Sequence, residues 1–145
     1  LVVGKWLAAV ALVGVALGLT AGYPVVLGAL GELDPFRAVA GYLGLFLMGA
    51  AFAAVGVMAS ALTRHQVIAF LVAFALLAVP WAVGYALASV EPGLIPVVQY
   101  LTFEFHLQPL ARGILDTRSL VFFGALTVVA LRVAVHVLHH ERLRA

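Results

Sequence analysis

The sequence predicts an all-α protein that crosses a membrane several times, and three observations lead to this fold class. Apolar residues make up 66% of the 145 residues and charged residues only 10%, and the mean hydropathy is +1.20. A soluble domain has roughly 25% charged residues, so this chain cannot cover itself with a water-compatible surface. Three stretches of 26 residues each contain no charged residue, whereas about 20 residues suffice for a helix to cross the hydrocarbon core.

These uncharged stretches predict the first three spans, near residues 6–30, 37–62 and 66–88. The spans are expected to be helices, because an open strand in lipid would leave its backbone polar groups without hydrogen-bond partners. We treat residues 1–145 as a single transmembrane domain. The chain starts with Leu1 and is apolar from its first residues, so we expect it to be the later part of a longer protein.

The fourth span is predicted at residues 119–138, although it contains a charge. The uncharged stretch between Arg118 and Arg132 holds only 13 residues, but the apolar pattern continues through Leu138. A long arginine stem can carry its guanidinium to the headgroups, which explains Arg132 near the end of a span. The alternative is that Arg132 faces the protein interior as a functional charge.

The distribution of charges predicts the orientation of the chain. Four spans place both termini on one side, together with five of the eight Lys and Arg residues when Arg132 is included, and three lie on the other side. The positive-inside rule then places both termini in the cytoplasm. The segment between the third and fourth spans is consequently expected to be extracytoplasmic.

Residues 92–118 predict a re-entrant or interfacial helical hairpin in front of the last span. The stretch PGLIPVVQYLTFEF (92–105) is too apolar for an aqueous loop and too short to span. We expect a polar break at residues 106–109, after which Pro109 begins a second short helix. Arg112 and Asp116 are four residues apart, so they are expected to pair along this second helix, and Gly113 is expected to allow close approach to a neighbouring helix.

Two interpretations of this hairpin remain open. In the first, its polar residues only anchor it at the headgroups. In the second, His106, Arg112 and Asp116 line the exit of a translocation path.

Small residues recur at spacings of three or four residues on the first two spans, at Gly14, Gly18 and Gly22 and at Gly49, Ala53 and Gly56. Such patterns let two helices approach closely in lipid. They predict close packing within one subunit or an interface between subunits.

Several kinds of chemistry are not favoured by the sequence. A net charge of +2 with no long basic run gives no reason to expect nucleic-acid binding, and no cysteine is present for a thiolate metal site. His136, His139 and His140 cluster near the end of the last span, where a basic helix cap is a simpler explanation than metal binding. We therefore predict no catalytic residue, metal site or cofactor.

The stretch YLTFEFHLQPLARGILDTRSLVFF (100–123) resembles the segment before the last span in ABC-2 type transport permeases of the gliding-motility-like group. That family has roughly an aromatic-Leu pair, then His-Phe-x-x-Phe-Ala-Arg-Gly-Val-Ile-Asp, then an apolar helix. The matching residues here are Tyr100-Leu101, His106 and Ala111 to Asp116, with Leu107, Pro109 and Leu110 departing from the pattern. Residues 4–9 and 41–70 resemble other spans of the family, so the resemblance covers nearly the whole chain.

The resemblance implies a permease with six spans per subunit, of which the first two would precede Leu1. Two subunits would form one translocation path in the cell membrane of a prokaryote, and the family favours export. An ATP-binding cassette ATPase would bind on the cytoplasmic side, near the turn containing Arg64 and His65. No G-x-x-x-x-G-K-[ST] motif occurs in the sequence, so ATP hydrolysis is expected from a separate partner. The alternatives are a membrane scaffold or assembly protein that transports nothing, and a secondary transporter.

Overall fold

A computed structural model of the protein describes the backbone of residues 1–144 and the side chains of residues 1–140. Within this range the chain forms helices and no strand, which confirms the all-α fold class. In chain order the helices are α1 (Val2–Thr20), α2 (Gly22–Ala29), α3 (Pro35–Leu62), α4 (Gln66–Ala86), α5 (Ile95–Tyr100), α6 (Phe103–Ala111) and α7 (Thr117–Arg144), and a 3₁₀ turn at Leu87–Ser89 follows α4.

Four segments of the described residues are long and apolar enough to cross a membrane: Val2–Ala29, Pro35–Leu62, Gln66–Ser89 and Thr117–His140. The protein therefore has the composition and helix lengths of a multi-pass membrane protein. The second and third segments lie within two residues of the predicted spans, whereas the first begins four residues earlier than predicted. These differences are small because the charged residues that limit each apolar stretch are explicit in the sequence.

The first membrane segment consists of two helices, α1 and α2, that meet at Ala21. Pro24 has no backbone N–H, so the carbonyl of Thr20, four residues earlier, has no helical donor. The hydroxyl of Tyr42 in α3 donates a hydrogen bond to this carbonyl at 2.9 Å. The proline therefore creates an acceptor that ties the end of α1 to α3. In contrast, α4 continues past Pro80 to Ala86.

Helix α3 lies at the centre of the fold and contacts α1, α4, α6 and α7. Both α3 and α7 bury small side chains, among them Ala51, Ala54 and Ala59 of α3 and Ala130 and Ala134 of α7, and Ala54 and Ala130 belong to one buried cluster. Small residues let two helix backbones approach closely, which is how helices associate where lipid provides no hydrophobic driving force.

The predicted small-residue stripes are used only in part within this chain. A Cβ added at Gly49 would lie 2.6 Å from Val13 Cγ1, and one at Gly14 would lie 3.6 Å from Phe46. These two glycines therefore lie at the contact between α1 and α3. An added Cβ at Gly18 or Gly56 would meet nothing within 4 Å.

The two ends of α3 define the two ends of the bundle. At 1.5 Å per residue this helix is about 42 Å long, enough to cross a bilayer. The α5–α6 hairpin lies beside the start of α3, where Gly113 touches Arg37; we call this the hairpin end. The turn between α3 and α4, at Thr63, Arg64 and His65, lies at the other end, which we call the turn end.

Candidate functional site: the α5–α6 hairpin

The residues predicted as functional fall into two groups at opposite ends of the bundle. His106, Arg112, Gly113 and Asp116 belong to the hairpin end. Arg64 and His65 belong to the turn end. Any joint function of the two groups would therefore have to act across the full thickness of the membrane.

The hairpin is present, but its break lies earlier than predicted. Helix α5 ends at Tyr100 and α6 begins at Phe103, so residues 106–109 are helical and Pro109 lies inside α6 rather than at its start. The break is set by Thr102, whose hydroxyl donates to Gln99 O at 2.7 Å and accepts from Phe105 N at 3.4 Å. This threonine is an N-cap, which supplies a partner to an orphan N–H at the helix start.

Helix α6 continues through the predicted break because one of its faces is apolar. Phe103, His106 and Leu110 have a helical spacing and are all buried. They pack toward α3 and α7, where Ala51 and Phe123 complete a buried cluster with Phe103 and Leu110. Burial of this face outweighs the hydrogen bond lost at Pro109, which lies only two residues from the end of the helix.

His106 is the most enclosed polar residue of the hairpin, with 0% of its surface exposed. Its ring stacks on Phe122 at 4.0 Å between centroids and meets the Tyr100 ring edge-on at 4.9 Å. Its Nε2 lies 2.8 Å from the carbonyl oxygen of Tyr100. Because a carbonyl only accepts, Nε2 must carry the proton and donate. This hydrogen bond joins the end of α5 to α6 and holds the hairpin closed.

The protonation state of His106 follows from this packing. Burial lowers its pKa below the ordinary value of 6.5, while the hydrogen bond to Tyr100 and the nearby charge of Asp116 raise it in part. The neutral ring is therefore favoured, with Nδ1 as an unprotonated acceptor. Neither Nδ1 nor the buried hydroxyl of Ser119 has a hydrogen-bond partner in the described part of the chain. His106 is thus enclosed by the packing of this chain, and its expected place at the exit of a translocation path stays a prediction.

Gly113 ends α6 in a way that only glycine allows easily. Its φ is +82°, and Ile114 N and Gly113 N donate to Pro109 O and Leu110 O at 2.8 and 3.1 Å. These two bonds form a Schellman motif, which satisfies the last carbonyls of the helix. A Cβ at Gly113 would lie 3.2 Å from Arg37 Cα, so this glycine also lies against the start of α3.

The predicted ion pair between Arg112 and Asp116 is wrong. Helix α6 ends at Ala111, so the two residues are not on one helix. Asp116 instead directly precedes α7, and its side chain accepts a hydrogen bond from Arg118 N at 2.9 Å. Arg112 is exposed, and the salt bridge that the described residues do contain joins Asp34 to Arg37.

At the turn end, the chain passes from α3 to α4 in three residues. The N–H of His65 donates to the hydroxyl of Thr63 at 3.2 Å, which shapes the turn. Arg64 and His65 are both exposed. They form a small polar surface that a partner on that side of the membrane can reach.

The second half of α7 carries several ionisable side chains. Arg132 is exposed and lies beside His136 and His139 along a shallow surface groove, which favours the interpretation that it reaches the headgroups. The rings of His136 and His140 meet edge-on at 4.8 Å. No group of three or more potential metal-ligating side chains was found among the described residues.

Sequence reasoning missed two residues that build the hairpin, Thr102 and Phe122. Thr102 had a usable signal, because a threonine followed by an acidic residue in the next turn is typical of a helix start. Phe122 had none, since its importance comes from packing against His106 of α6. Comparison of the chain with protein-family models, with curated proteins and with solved structures gave no match.

Proposed function

We propose that this chain is the membrane-spanning part of a permease subunit in an ATP-binding cassette transporter of the ABC-2 type, and that it exports an unidentified substrate. The observation that carries the proposal is the α5–α6 hairpin, followed by the block Ala111 to Asp116 and the last span. Both its sequence and its position before the last helix resemble the corresponding segment of those permeases.

The packing of the hairpin supports a role at the mouth of a path. Helix α6 contacts α3, α4 and α7, so it covers one end of the bundle without crossing it. Its buried face holds it in place, while Glu104, Gln108 and Arg112 are exposed on the other side. In a permease dimer, such a polar rim would border the opening between the two subunits. Irregular backbone at this depth is tolerated where it borders protein or water.

The exposed apolar surfaces of the bundle support assembly with further helices. Large side chains of α1, α2 and α4 are exposed, among them Leu12, Leu19, Phe70 and Phe74. Lipid alone can cover such apolar surfaces, but these surfaces also provide the contact area that two further spans and a second subunit would need.

The proposed orientation places the turn end and both termini in the cytoplasm of a prokaryotic cell, as the distribution of Lys and Arg favours. Arg64 and His65 would then face the ATPase. Because the sequence contains no P-loop motif, the energy must come from a separate ATP-binding partner.

Co-purification with a P-loop ATPase encoded beside this chain tests the proposal. We expect the two to form a complex whose ATP hydrolysis in proteoliposomes exceeds that of the ATPase alone. Arg64→Glu should weaken the complex, because it reverses a charge at the turn end. Arg118→Glu is the matched control, since Arg118 is an exposed arginine at the hairpin end.

Two results would contradict the proposal. One is ATP hydrolysis by this chain when it is purified alone. The other is a chain that is stable in the membrane but binds no P-loop ATPase, which would favour the scaffold alternative.

The role of the rim is tested separately by Arg112→Ala. Arg112 makes no salt bridge with any described residue, and an exposed charge contributes at most about 1 kcal/mol to stability. We expect normal expression and thermal stability together with reduced transport-coupled ATP hydrolysis. Unchanged coupling would show that Arg112 is only a headgroup anchor.

A further inference from the structure

An open groove lies between α2, α3 and α6 at the hairpin end. Helix α2 begins after the break at Ala21, and the residues of the first turn of α3 are mostly exposed. The groove has a volume of about 530 Å³. Small residues of α3, Ala38 and Gly41, form its floor, and its walls include Pro24 and Leu27 of α2 and Leu107 of α6.

The lining of this groove is suited to a hydrocarbon chain. Its residues are almost all apolar or aromatic, and the charged residue among them is Arg37. The groove is open rather than enclosed, so a ligand can enter it from outside the bundle. At 1.5 Å per residue, Gly41 and Leu45 lie about 6 and 12 Å along α3 from Arg37. The groove thus extends from the charged start of α3 into the apolar part of the span.

Arg37, which lines the groove, forms an ion pair with Asp34, the residue that precedes α3. The Asp34 carboxylate lies 3.8 Å from Arg37 Nε, and both side chains are more than half exposed, at 54% and 67%. The other oxygen of Asp34 accepts a hydrogen bond from Phe36 N at 3.1 Å and caps α3. At this distance the ion pair is loose, so each charge retains capacity for a further partner.

We propose that this groove binds one phosphatidylethanolamine molecule of the bilayer, with an acyl chain between α2, α3 and α6, its phosphate at Arg37 and its ammonium group at Asp34. Arginine suits a phosphate, because its planar group offers several N–H donors. The ammonium group donates up to three hydrogen bonds to a carboxylate. Phosphatidylcholine lacks these N–H donors, and phosphatidylglycerol has no cationic group. This inference goes beyond the proposed transport function and does not depend on it.

Photo-crosslinking of the full chain in vesicles measures this binding directly. The probe is phosphatidylethanolamine with a diazirine in one acyl chain, added in trace amount to vesicles of phosphatidylcholine. We expect cross-links to map to residues 23–27, 38–45 and 107–111. Unlabelled phosphatidylethanolamine should compete better than phosphatidylcholine or phosphatidylglycerol, by up to about fivefold for each charge contact.

One substitution fills the groove without disturbing the packing. A Cβ added at Gly41 meets nothing within 4 Å, and Gly41 lies on the groove floor. Gly41→Leu should therefore remove most of the cross-link. Gly56→Leu is the matched control on the same helix, because its added Cβ also meets nothing within 4 Å and it lies outside the groove.

A second substitution separates the headgroup from the acyl chain. Asp34→Asn removes the charge but keeps the helix cap, since asparagine is as good an N-cap as aspartate. The preference for phosphatidylethanolamine over phosphatidylcholine should disappear, while the groove still accepts an acyl chain. Arg37→Gln should weaken the binding of all three lipids. Arg118→Gln, at an exposed arginine of the same end, should leave the binding of all three unchanged.

Two outcomes would overturn the proposal. Equal competition by the three lipids in the unmodified chain would mean that the groove holds only bulk lipid. Absence of cross-links, together with a Gly41→Cys disulfide dimer, would mean that a second copy of the chain fills the groove. The dimer would be unambiguous, because the sequence has no other cysteine.

Discussion

Gly113→Ala tests whether the hairpin is held against α3 by close backbone contact. Gly113 has a φ of +82°, and an added Cβ would lie 2.7 Å from Arg37 Cγ and 3.2 Å from Arg37 Cα. The side chain of Arg37 can move aside, but its Cα cannot move without shifting α3. Alanine at this position therefore combines backbone strain with a steric overlap.

The free-energy cost of backbone strain can be separated from that of steric overlap by making the same substitution at a matched glycine of this protein. Gly31 ends α2 in the same Schellman geometry, with a φ of +77° and bonds from Gly31 N to Gly28 O and from Glu32 N to Leu27 O. A Cβ at Gly31, however, meets nothing within 4 Å. Gly31→Ala should therefore cost only the strain, about 1–2 kcal/mol. Gly113→Ala should cost about 2–4 kcal/mol, because overpacking adds roughly 1–3 kcal/mol.

Unfolding of each purified variant by SDS in mixed micelles gives the free energies of unfolding of Gly31→Ala and Gly113→Ala. The emission of Trp81 is a suitable signal, because Trp81 lines a small cavity with Thr102 and Phe103 and so reports on the packing of α6. When Arg37→Ala is added to Gly113→Ala, it should restore only part of the lost free energy of unfolding, since the contact with the Cα atom at position 37 remains. If Gly113→Ala were no less stable than Gly31→Ala, the close contact between the hairpin and α3 would be refuted.

Three further predictions concern packing, pH and orientation. Gly44→Ala should destabilise the protein by about 1–3 kcal/mol, because the added Cβ would lie 2.9 Å from Leu110 Cδ1 and 3.0 Å from Leu110 Cβ. The thermal midpoint should fall as the pH drops below 6.5 towards the lowered pKa of His106, because the unfolded chain there binds more protons than the folded one. An impermeant thiol reagent should label Gly93→Cys in intact cells and Arg64→Cys only after permeabilisation.

Each of these has its own control. Gly41→Ala, on the same helix with nothing within 4 Å of its added Cβ, should be neutral, and equal losses at positions 41 and 44 would contradict the packing argument. His106→Gln keeps a donor for Tyr100 O but does not titrate, so its thermal midpoint should vary less below pH 6.5. If the thermal midpoint of His106→Gln fell with decreasing pH as steeply as that of the unmodified chain, the pH effect would come from other groups. Labelling of position 64 but not 93 in intact cells would reverse the orientation.

The membrane class, the four apolar segments and their approximate bounds follow from the order of the amino acids alone. The reason is that lipid imposes a local rule: about 20 consecutive apolar residues must form a helix that satisfies its own backbone. Charged residues such as Arg64 mark where each apolar stretch ends, so α3 and α4 begin and end within two residues of the predicted positions. The existence of a short hairpin before the last span followed from the same rule.

Only the tertiary structure decided how that hairpin is built. Pro109 and the polar residues around it suggested a break, yet burial of Phe103, His106 and Leu110 against α3 and α7 keeps residues 103–111 in one helix. The four-residue spacing of Arg112 and Asp116 likewise predicted an ion pair along one helix. This pair does not form, because α6 ends at Ala111. These choices depend on contacts between residues far apart in the chain, and local spacing carries no information about them. The groove beside Arg37 arises in the same way, because it lies between three helices whose separation no single segment determines.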